Sequence, residues 1–230
     1  MAAMTELKGP SLGPAEGKPE QLIVFLHGVG ADGNDLIGLA PYFQKVAPRA
    51  LFVSPNAPYP FDMAAFGFQW FSLNDFSLEA RLRGVRAAAP MLDAFLDSQL
   101  NALGLREDKL VLIGFSQGTM MALHVGLRRA TAPAGIIGYS GMLVGPETLA
   151  SELRSRPPVI LVHGDADPVL PVAALPAAVA ALEAAGVPVQ SHVRPGLGHS
   201  IDEQGLLLGM RFLAESIGAS LDEKSGAQPA

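Results

Sequence analysis

A serine lies between two glycines in the segment Gly-Phe-Ser-Gln-Gly, residues 114–118. The segment follows an apolar run predicted to be a strand, 109–113, and precedes a pattern predicted to be a helix, 117–129. A G-x-S-x-G sequence between a strand and a helix predicts a nucleophile elbow, a turn so sharp that only glycine tolerates the crowding around the serine. Ser116 would then be an exposed nucleophile. Because so short a pattern also occurs by chance, the rest of the chain must supply the groups that activate a serine.

Such a serine must be held by regular elements, and apolar runs of strand length alternate with helical patterns along the chain. The predicted strands cover 21–27, 50–54, 109–113, 134–139, 158–163 and 188–194, and the predicted helices cover 36–45, 78–102, 117–129, 172–185 and 202–217. This alternation predicts the α/β class, with a mostly parallel central sheet covered by helices on both faces. Pro90 predicts a kink in the long second helix. The stretch 55–75, with three prolines and many aromatic residues, is predicted to be irregular.

Length and composition indicate one domain. The chain has 230 residues, of which 49% are apolar and 17% charged, so it is long enough to bury a sizeable core. We expect a flexible N-terminal segment over 1–20, a single domain over 21–218 and a disordered tail over 219–230. The first segment has no apolar core of a signal peptide, and no apolar run reaches the ~18 residues of a membrane helix. These features predict a cytoplasmic protein without stable membrane insertion.

Charge and cysteine content exclude other classes of function. The net charge is -6, and no long basic run marks a nucleic-acid partner. The chain contains no cysteine, which excludes disulfides, thiolate metal sites and a cysteine nucleophile. We expect neither a cofactor nor a metal.

The acid that would accompany Ser116 is predicted after the strand 158–163. In folds with this elbow, the partners follow in the order serine, acid, histidine. Asp165 and Asp167 lie at the carboxyl end of that strand, where parallel sheets place their sites. We favour Asp167, because Asp165 stands directly at the turn, where an aspartate side chain tends to bond the local backbone. The other acids in the interval, Glu147, Glu152 and Glu183, lie in helical or polar surface patterns.

His199 is the predicted base. It lies in a glycine-rich loop, 196–200, after the last strand and before the last helix. The other histidines, His27, His124, His163 and His192, occupy positions that favour structural roles. A metal pair of His192 and His199 is a weaker alternative, because no metal-ligand spacing is completed.

A second glycine motif, Gly-Val-Gly-Ala-Asp-Gly at 28–33, follows the first strand. It matches G-x-G-x-x-G, but dinucleotide binding would need an acid ~20 positions on, and the second strand ends without one. An oxyanion turn fits better. The pair His27-Gly28 would turn the chain so that the backbone N–H of Val29 points into the site, where the N–H of Gln117 would be its partner. A plain glycine loop is the remaining alternative.

Four segments, VFLHGVGADGNDL, GFSQGTMMAL, HGDADPVLP and GLGHSID, together resemble the phospholipase/carboxylesterase family. This family includes small bacterial carboxylesterases and acyl-protein thioesterases, and the resemblance spans about residues 20–217. It implies an α/β-hydrolase fold without a large lid, a catalytic triad of Ser116, Asp167 and His199, and an oxyanion hole at Val29 and Gln117. The family usually has leucine where Val29 stands, but the backbone donates there, so the difference should matter little.

The resemblance also implies a substrate pocket. The family places a Trp-aromatic pair in a loop over the site, which Trp70 and Phe71 match, although ordinary core packing explains these residues equally well. Val169 and Leu170 are candidates for the acyl pocket, together with Met142 after another strand. Relatives dimerise, but nothing in the sequence decides between a monomer and a homodimer.

These observations predict a serine hydrolase that cleaves small-molecule carboxylic esters of short to medium acyl chains through an acyl-enzyme. A lysophospholipase and an acyl-protein thioesterase are alternatives within the same chemistry. A non-catalytic hydrolase-fold module that binds a ligand, and a nucleotide-binding protein, are alternatives from other classes.

Overall fold

The computed structural model describes residues 6–219 and contains a mostly parallel sheet. The strands, in chain order, are β1 Ser11–Leu12, β2 Gln21–Leu26, β3 Ala50–Val53, β4 Tyr59–Pro60, β5 Phe68–Gln69, β6 Leu110–Phe115, β7 Gly135–Tyr139, β8 Val159–Gly164 and β9 Val189–Arg194. The large sheet has the order β1-β3-β2-β6-β7-β8-β9, and all its neighbours pair in parallel except β1 with β3. The carboxyl ends of β6, β8 and β9 therefore meet at one edge, which is where the predicted site residues follow.

Helices cover both faces of this sheet. They are α1 Gly33–Ile37, α2 Ala40–Gln44, α3 Leu78–Leu103, α4 Gln117–Gly126, α5 Pro146–Glu152, α6 Ala174–Ala184 and α7 Glu203–Ile217, with a short 3₁₀ helix at Glu107–Lys109. Leu22, Val24 and Leu26 of β2 pack into the core closed by α3, α4, α5 and α6. Ile23 and Phe25 point to the other face, which is closed by α1, α2 and α7. Side chains that alternate between two buried faces explain why the strands are continuously apolar, and the predicted α/β fold is confirmed.

The N-terminal segment is attached to the sheet, which corrects part of the prediction of a flexible segment over 1–20. Ser11 and Leu12 pair with β3, and the backbone N–H of Asn56 donates to the carbonyl of Lys8 at 2.8 Å. Leu7 is buried in the larger core. A short antiparallel strand thus covers the edge of β3, which would otherwise expose unpaired backbone groups. The predicted tail, 219–230, lies outside the described residues except for Ala219.

Several helices and turns differ from the prediction. The single helix predicted over 36–45 is two short helices, because the first ends at Gly38 and the second has Pro41 in its first turn. The helix α5 was not predicted, and the irregular stretch 55–75 contains the small antiparallel ribbon of β4 and β5. The helix α3 runs unbroken from Leu78 to Leu103 with Pro90 inside it, and the kink at Pro90 stays a prediction.

Candidate active site

Ser116 lies at the sharp turn between β6 and α4. Its backbone has φ 54° and ψ −116°, a conformation that residues with a Cβ rarely adopt. A Cβ added to Gly114 would lie 2.5 Å from the carbonyl carbon of Gly118, and one added to Gly118 would lie 1.8 Å from the carbonyl oxygen of Leu26. Both positions therefore require glycine. The backbone N–H of Ser116 donates to the carbonyl oxygen of Tyr139 at 2.9 Å, which ties the turn to the end of β7.

Asp167 and His199 come together at the carboxyl ends of β8 and β9. The Asp167 Oδ2 atom lies 2.7 Å from His199 Nδ1, and the side chain of Asp167 is fully buried. Its Oδ1 atom accepts hydrogen bonds from the backbone N–H groups of Val169 and Leu170, at 2.8 and 2.9 Å. Burial alone would raise the pKa of Asp167, but hydrogen bonds from His199 and from these two N–H groups hold it below its ordinary value. The group is a carboxylate aimed at the imidazole.

This hydrogen bond fixes the tautomer of His199. A carboxylate can only accept, so Nδ1 carries the proton and Nε2 is left with a free lone pair. The ring of His199 packs against Phe115, the residue before Ser116, with 4.9 Å between the ring centroids. The candidate base is therefore held beside the elbow.

Asp165 bonds a backbone group, but that group belongs to a distant loop and not to the local turn as predicted. Its Oδ1 atom accepts from the N–H of Gly196 at 2.6 Å. The contact links the loop that follows β8 to the glycine-rich loop that carries His199. Asp165 therefore fastens the loop, whereas Asp167 contacts the imidazole of His199.

The glycine turn after β2 lies against the elbow. A Cβ on Gly28 would lie 3.3 Å from the Cβ of Ser116. Within residues 6–219, neither the N–H of Val29 nor that of Gln117 donates a hydrogen bond to another protein group. Two free donors near the serine are what an oxyanion hole requires. The helix α1 begins at Gly33, after the first two glycines of the motif, with Asp32 as its N-cap.

His27 is buried beneath this turn with both ring nitrogens occupied. Nδ1 lies 2.7 Å from the carbonyl oxygen of Gly28 and must donate to it, while Nε2 accepts from the N–H of Ala57 at 2.9 Å. Burial lowers the pKa of His27, although hydrogen bonding to Gly28 and nearby carboxylates oppose the shift. The neutral ring, with a defined tautomer, thus holds the turn in place through its two hydrogen bonds.

Trp70 is fully buried, which corrects its predicted contact with substrate. Its indole N–H donates to the carbonyl oxygen of His27 at 3.0 Å. The side chain of Gln117 accepts from the Trp70 N–H at 2.8 Å and donates to the Phe71 carbonyl oxygen at 2.7 Å. Packing prevails here because a buried indole needs both apolar neighbours and an acceptor. These hydrogen bonds fix the backbone around Val29 and Gln117, the two predicted oxyanion donors.

The chain matches the model of the Phospholipase/Carboxylesterase family over residues 8–217. It belongs to the phospholipase/carboxylesterase family. Esterase YpfH of Escherichia coli (strain K12) is 30% identical over 199 residues, which cover 86% of this chain and 84% of that esterase. Acyl-protein thioesterase 1 of Schizosaccharomyces pombe (strain 972 / ATCC 24843) is 28% identical over 207 residues, covering 86% of this chain and 91% of that protein.

A solved structure agrees with this assignment. The crystal structure of esterase PE8 superposes with a TM-score of 0.89 at 42% sequence identity, covering 92% of this chain and 99% of that one. The predicted family resemblance and the α/β-hydrolase fold are confirmed. Family membership leaves the dinucleotide interpretation of the glycine motif at 28–33 without support.

The other pocket residues expected from the family resemblance differ in how far they are exposed. Phe71 and Leu170 are almost fully buried in the larger core, whereas Val169 is 60% exposed. Met142 is partly buried, and its Sδ atom accepts from the guanidinium of Arg81 at 2.9 Å. Their roles in substrate binding remain predictions.

Two further polar groups, for which no role at the site was predicted, lie next to Asp167 and His199. His163 lies four residues before Asp167, and its Nε2 atom donates to the Leu170 carbonyl oxygen at 2.9 Å and lies 3.3 Å from Asp167 Oδ2. The Ser140 hydroxyl donates to the Ser200 carbonyl oxygen at 3.5 Å, beside His199. The sequence already contains a signal for this contact, a histidine four residues before the candidate acid.

A groove of about 320 Å³ opens beside His199. It was not predicted, because its lining comes from α1, the N-cap residue of α2, the elbow and the His199 loop, which only the fold brings together. Its lining residues are Asp35, Leu36, Leu39, Phe115, His199, Ser200 and Ile201. Within residues 6–219, no helix is both long and apolar enough to cross a membrane.

Proposed function

We propose that this protein is a carboxylesterase that works through an acyl-enzyme on Ser116. The observation that carries the proposal is the 2.7 Å contact of Asp167 with His199, at the same sheet edge as the strained elbow. A buried carboxylate, an imidazole of defined tautomer and a serine on a glycine-flanked turn are the three groups of a nucleophilic triad. Membership of a family named for carboxylesterases supports the same reaction class.

The roles follow from the hydrogen bonds. The free Nε2 of His199 takes the proton of Ser116 as its oxygen attacks the ester carbonyl carbon. Asp167 keeps Nδ1 protonated and stabilises the imidazolium that forms. His199 then gives the proton to the departing alcohol, and water, activated by the same imidazole, cleaves the acyl-enzyme.

The developing oxyanion would be held by the backbone N–H groups of Val29 and Gln117. Gln117 is the first residue of α4, so the positive end of that helix also favours negative charge there. The loss of one such donor typically costs about 3 kcal/mol of transition-state stabilisation.

Thioester cleavage is the second candidate. The relative in Schizosaccharomyces pombe is named an acyl-protein thioesterase, and the same triad attacks esters and thioesters. Comparing kcat/KM for an oxygen ester and a thioester that carry the same acyl group shows which of the two activities is greater. Lysophospholipase activity, a cytoplasmic location and a homodimer remain predictions.

The test is Ser116→Ala, with Ser151→Ala as the matched control. Ser151 is exposed on α5 and its hydroxyl donates only to the Thr148 carbonyl oxygen. We expect the first variant to lose at least roughly 10⁴-fold in kcat on p-nitrophenyl butyrate and the second to keep full activity. Stoichiometric fluorophosphonate labelling should vanish only in the first. Undiminished turnover after Ser116→Ala would refute the mechanism, and unlabelled but folded native protein would favour a binding module.

A further inference from the structure

His199, the proposed proton donor to the leaving group, is one of the residues that line the groove. Nδ1 of His199 is occupied by Asp167, so Nε2 is the nitrogen that must protonate the departing oxygen. General acid catalysis requires that oxygen within hydrogen-bond reach of Nε2. The alcohol part of an ester therefore lies against His199, and His199 itself lines the groove.

The groove has an apolar body and one carboxylate. Leu36, Leu39 and Ile201 supply aliphatic surface, and the Phe115 ring packs against His199. Asp35, exposed in the first turn of α1, supplies the charge. Among the described residues that line it, none is a lysine or an arginine.

The single negative charge and the apolar lining favour some alcohol leaving groups over others. A carboxylate beside an aromatic ring attracts an alkylammonium group through charge and through the ring face. The same carboxylate repels a phosphate or sulfonate, and no cation in the lining compensates. An aliphatic surface favours a bulky alkyl group over a hydrated one.

We propose that this groove is the leaving-group subsite, and that Asp35 makes it selective for uncharged or cationic apolar alcohols over anionic ones. This inference rests on the proposed function, because it uses His199 as the proton donor. It predicts poor turnover of substrates whose leaving group is polyanionic, such as coenzyme A. It thereby narrows the substrate class to esters of small apolar or aminoalkyl alcohols.

The test uses butyrate esters that share the acyl group and differ in the alcohol. Butyrylcholine carries a trimethylammonium group, its carbon isostere carries a tert-butyl group instead, and sulfopropyl butyrate carries an anion. We expect kcat/KM to be highest for the cation and lowest for the anion. In Asp35→Asn, the ratio of the cationic to the isosteric ester should fall roughly two- to fivefold, the range of a solvent-exposed ion pair.

Glu183→Gln is the matched control, because Glu183 is exposed on α6 and lines a different surface groove with β9. It removes the same unit of charge and should leave the ratio unchanged. An unchanged ratio in Asp35→Asn, or equal turnover of the sulfopropyl ester, would overturn the inference. Salt should weaken the native preference.

A second variant, Leu39→Trp, tests the position of the subsite independently of charge. The larger side chain should fill the groove and slow hydrolysis of the tert-butyl isostere at least roughly tenfold while sparing methyl butyrate, whose alcohol needs no groove. Equal losses on both esters would place the leaving group elsewhere. Methyl butyrate also distinguishes a failure of the proposed function from a failure of this inference. If the native protein does not hydrolyse methyl butyrate, the proposed function fails. If it hydrolyses methyl butyrate normally but shows equal kcat/KM for all the alcohols, only this inference fails.

Discussion

At the scale of single residues, His27 fixes the orientation of the Val29 N–H, the predicted oxyanion donor. The Gly28 carbonyl and the Val29 N–H belong to one peptide group, and in a trans peptide they point in opposite directions. Because His27 Nδ1–H holds the Gly28 oxygen at 2.7 Å, the Val29 N–H must point away from the His27 ring. The neutral ring is needed for the second contact, since only an unprotonated Nε2 can accept from Ala57. The orientation of the predicted oxyanion donor thus depends on a side chain buried behind it.

Two substitutions at His27 separate these contacts. In His27→Asn, the amide nitrogen reaches roughly where Nδ1 lies and keeps the bond to Gly28. In His27→Gln, the amide oxygen reaches roughly where Nε2 lies and keeps the bond from Ala57 instead. We expect the Gln variant to lose about 10²-fold in kcat, as when an oxyanion donor is removed, with little change in KM. The Asn variant should keep most of its kcat.

Melting temperatures of both variants serve as the control for this comparison, since each loses one buried hydrogen bond and should be destabilised to a similar extent. A purely structural role for His27 would lower kcat equally in the two variants, and that result would contradict the orientation argument.

At the scale of elements, the elbow depends on how closely α4 approaches β2. A methyl group on Gly118 would overlap the Leu26 carbonyl oxygen, an atom of the sheet backbone that cannot rotate away. We expect Gly118→Ala to lower the free energy of unfolding by about 3 kcal/mol or more, the upper end for overpacking. Gly13→Ala is the control, because a Cβ there meets no atom within 4 Å. Urea denaturation of both variants measures the difference, and similar midpoints would show that α4 can shift outward.

The sequence allowed the elements around this elbow to be predicted because each has its own local signal. The strands β2, β6, β7 and β8 are mostly apolar runs. The candidate acid and base follow strand ends in the order that the elbow predicts. The elements that were missed lack such a signal. The strand β1 is two residues long and forms only because it pairs with β3, and α5 is only seven residues long, Pro146–Glu152.

Trp70 and the groove show a second reason why parts of the site could not be predicted from the sequence. An aromatic residue in a predicted loop fits a lining or a core position equally well from its sequence. The core position of Trp70 depends on two groups that are distant in sequence, the His27 carbonyl and the Gln117 side-chain amide, which form hydrogen bonds with it. The groove joins residues from 35 to 201, so no local pattern contains it.

At the scale of the whole molecule, stability should depend on pH through two buried histidines. His124 lies on α4, facing α3, and is buried, with no partner for Nδ1 among the described residues. Burial lowers the pKa of His124 to about 4. Nearby Arg128 and Arg86 add to the shift, and Glu152 opposes it. His27, also buried, is shifted in the same direction.

The sign of the pH effect follows from these shifts. Between the folded pKa of about 4 and the ordinary value of 6.5, the unfolded chain binds more protons at His124 than the folded one, so acid favours unfolding. From about pH 8 to about pH 5, this residue alone should remove about 2 kcal/mol from the free energy of unfolding. His124→Gln should remove that part of the pH dependence, whereas His192→Gln, on the half-buried edge strand β9, should leave it intact. Urea denaturation of the three proteins at both pH values measures the differences, and equal acid losses in native protein and His124→Gln would mean that His124 is already charged, or freely hydrated, in the folded state.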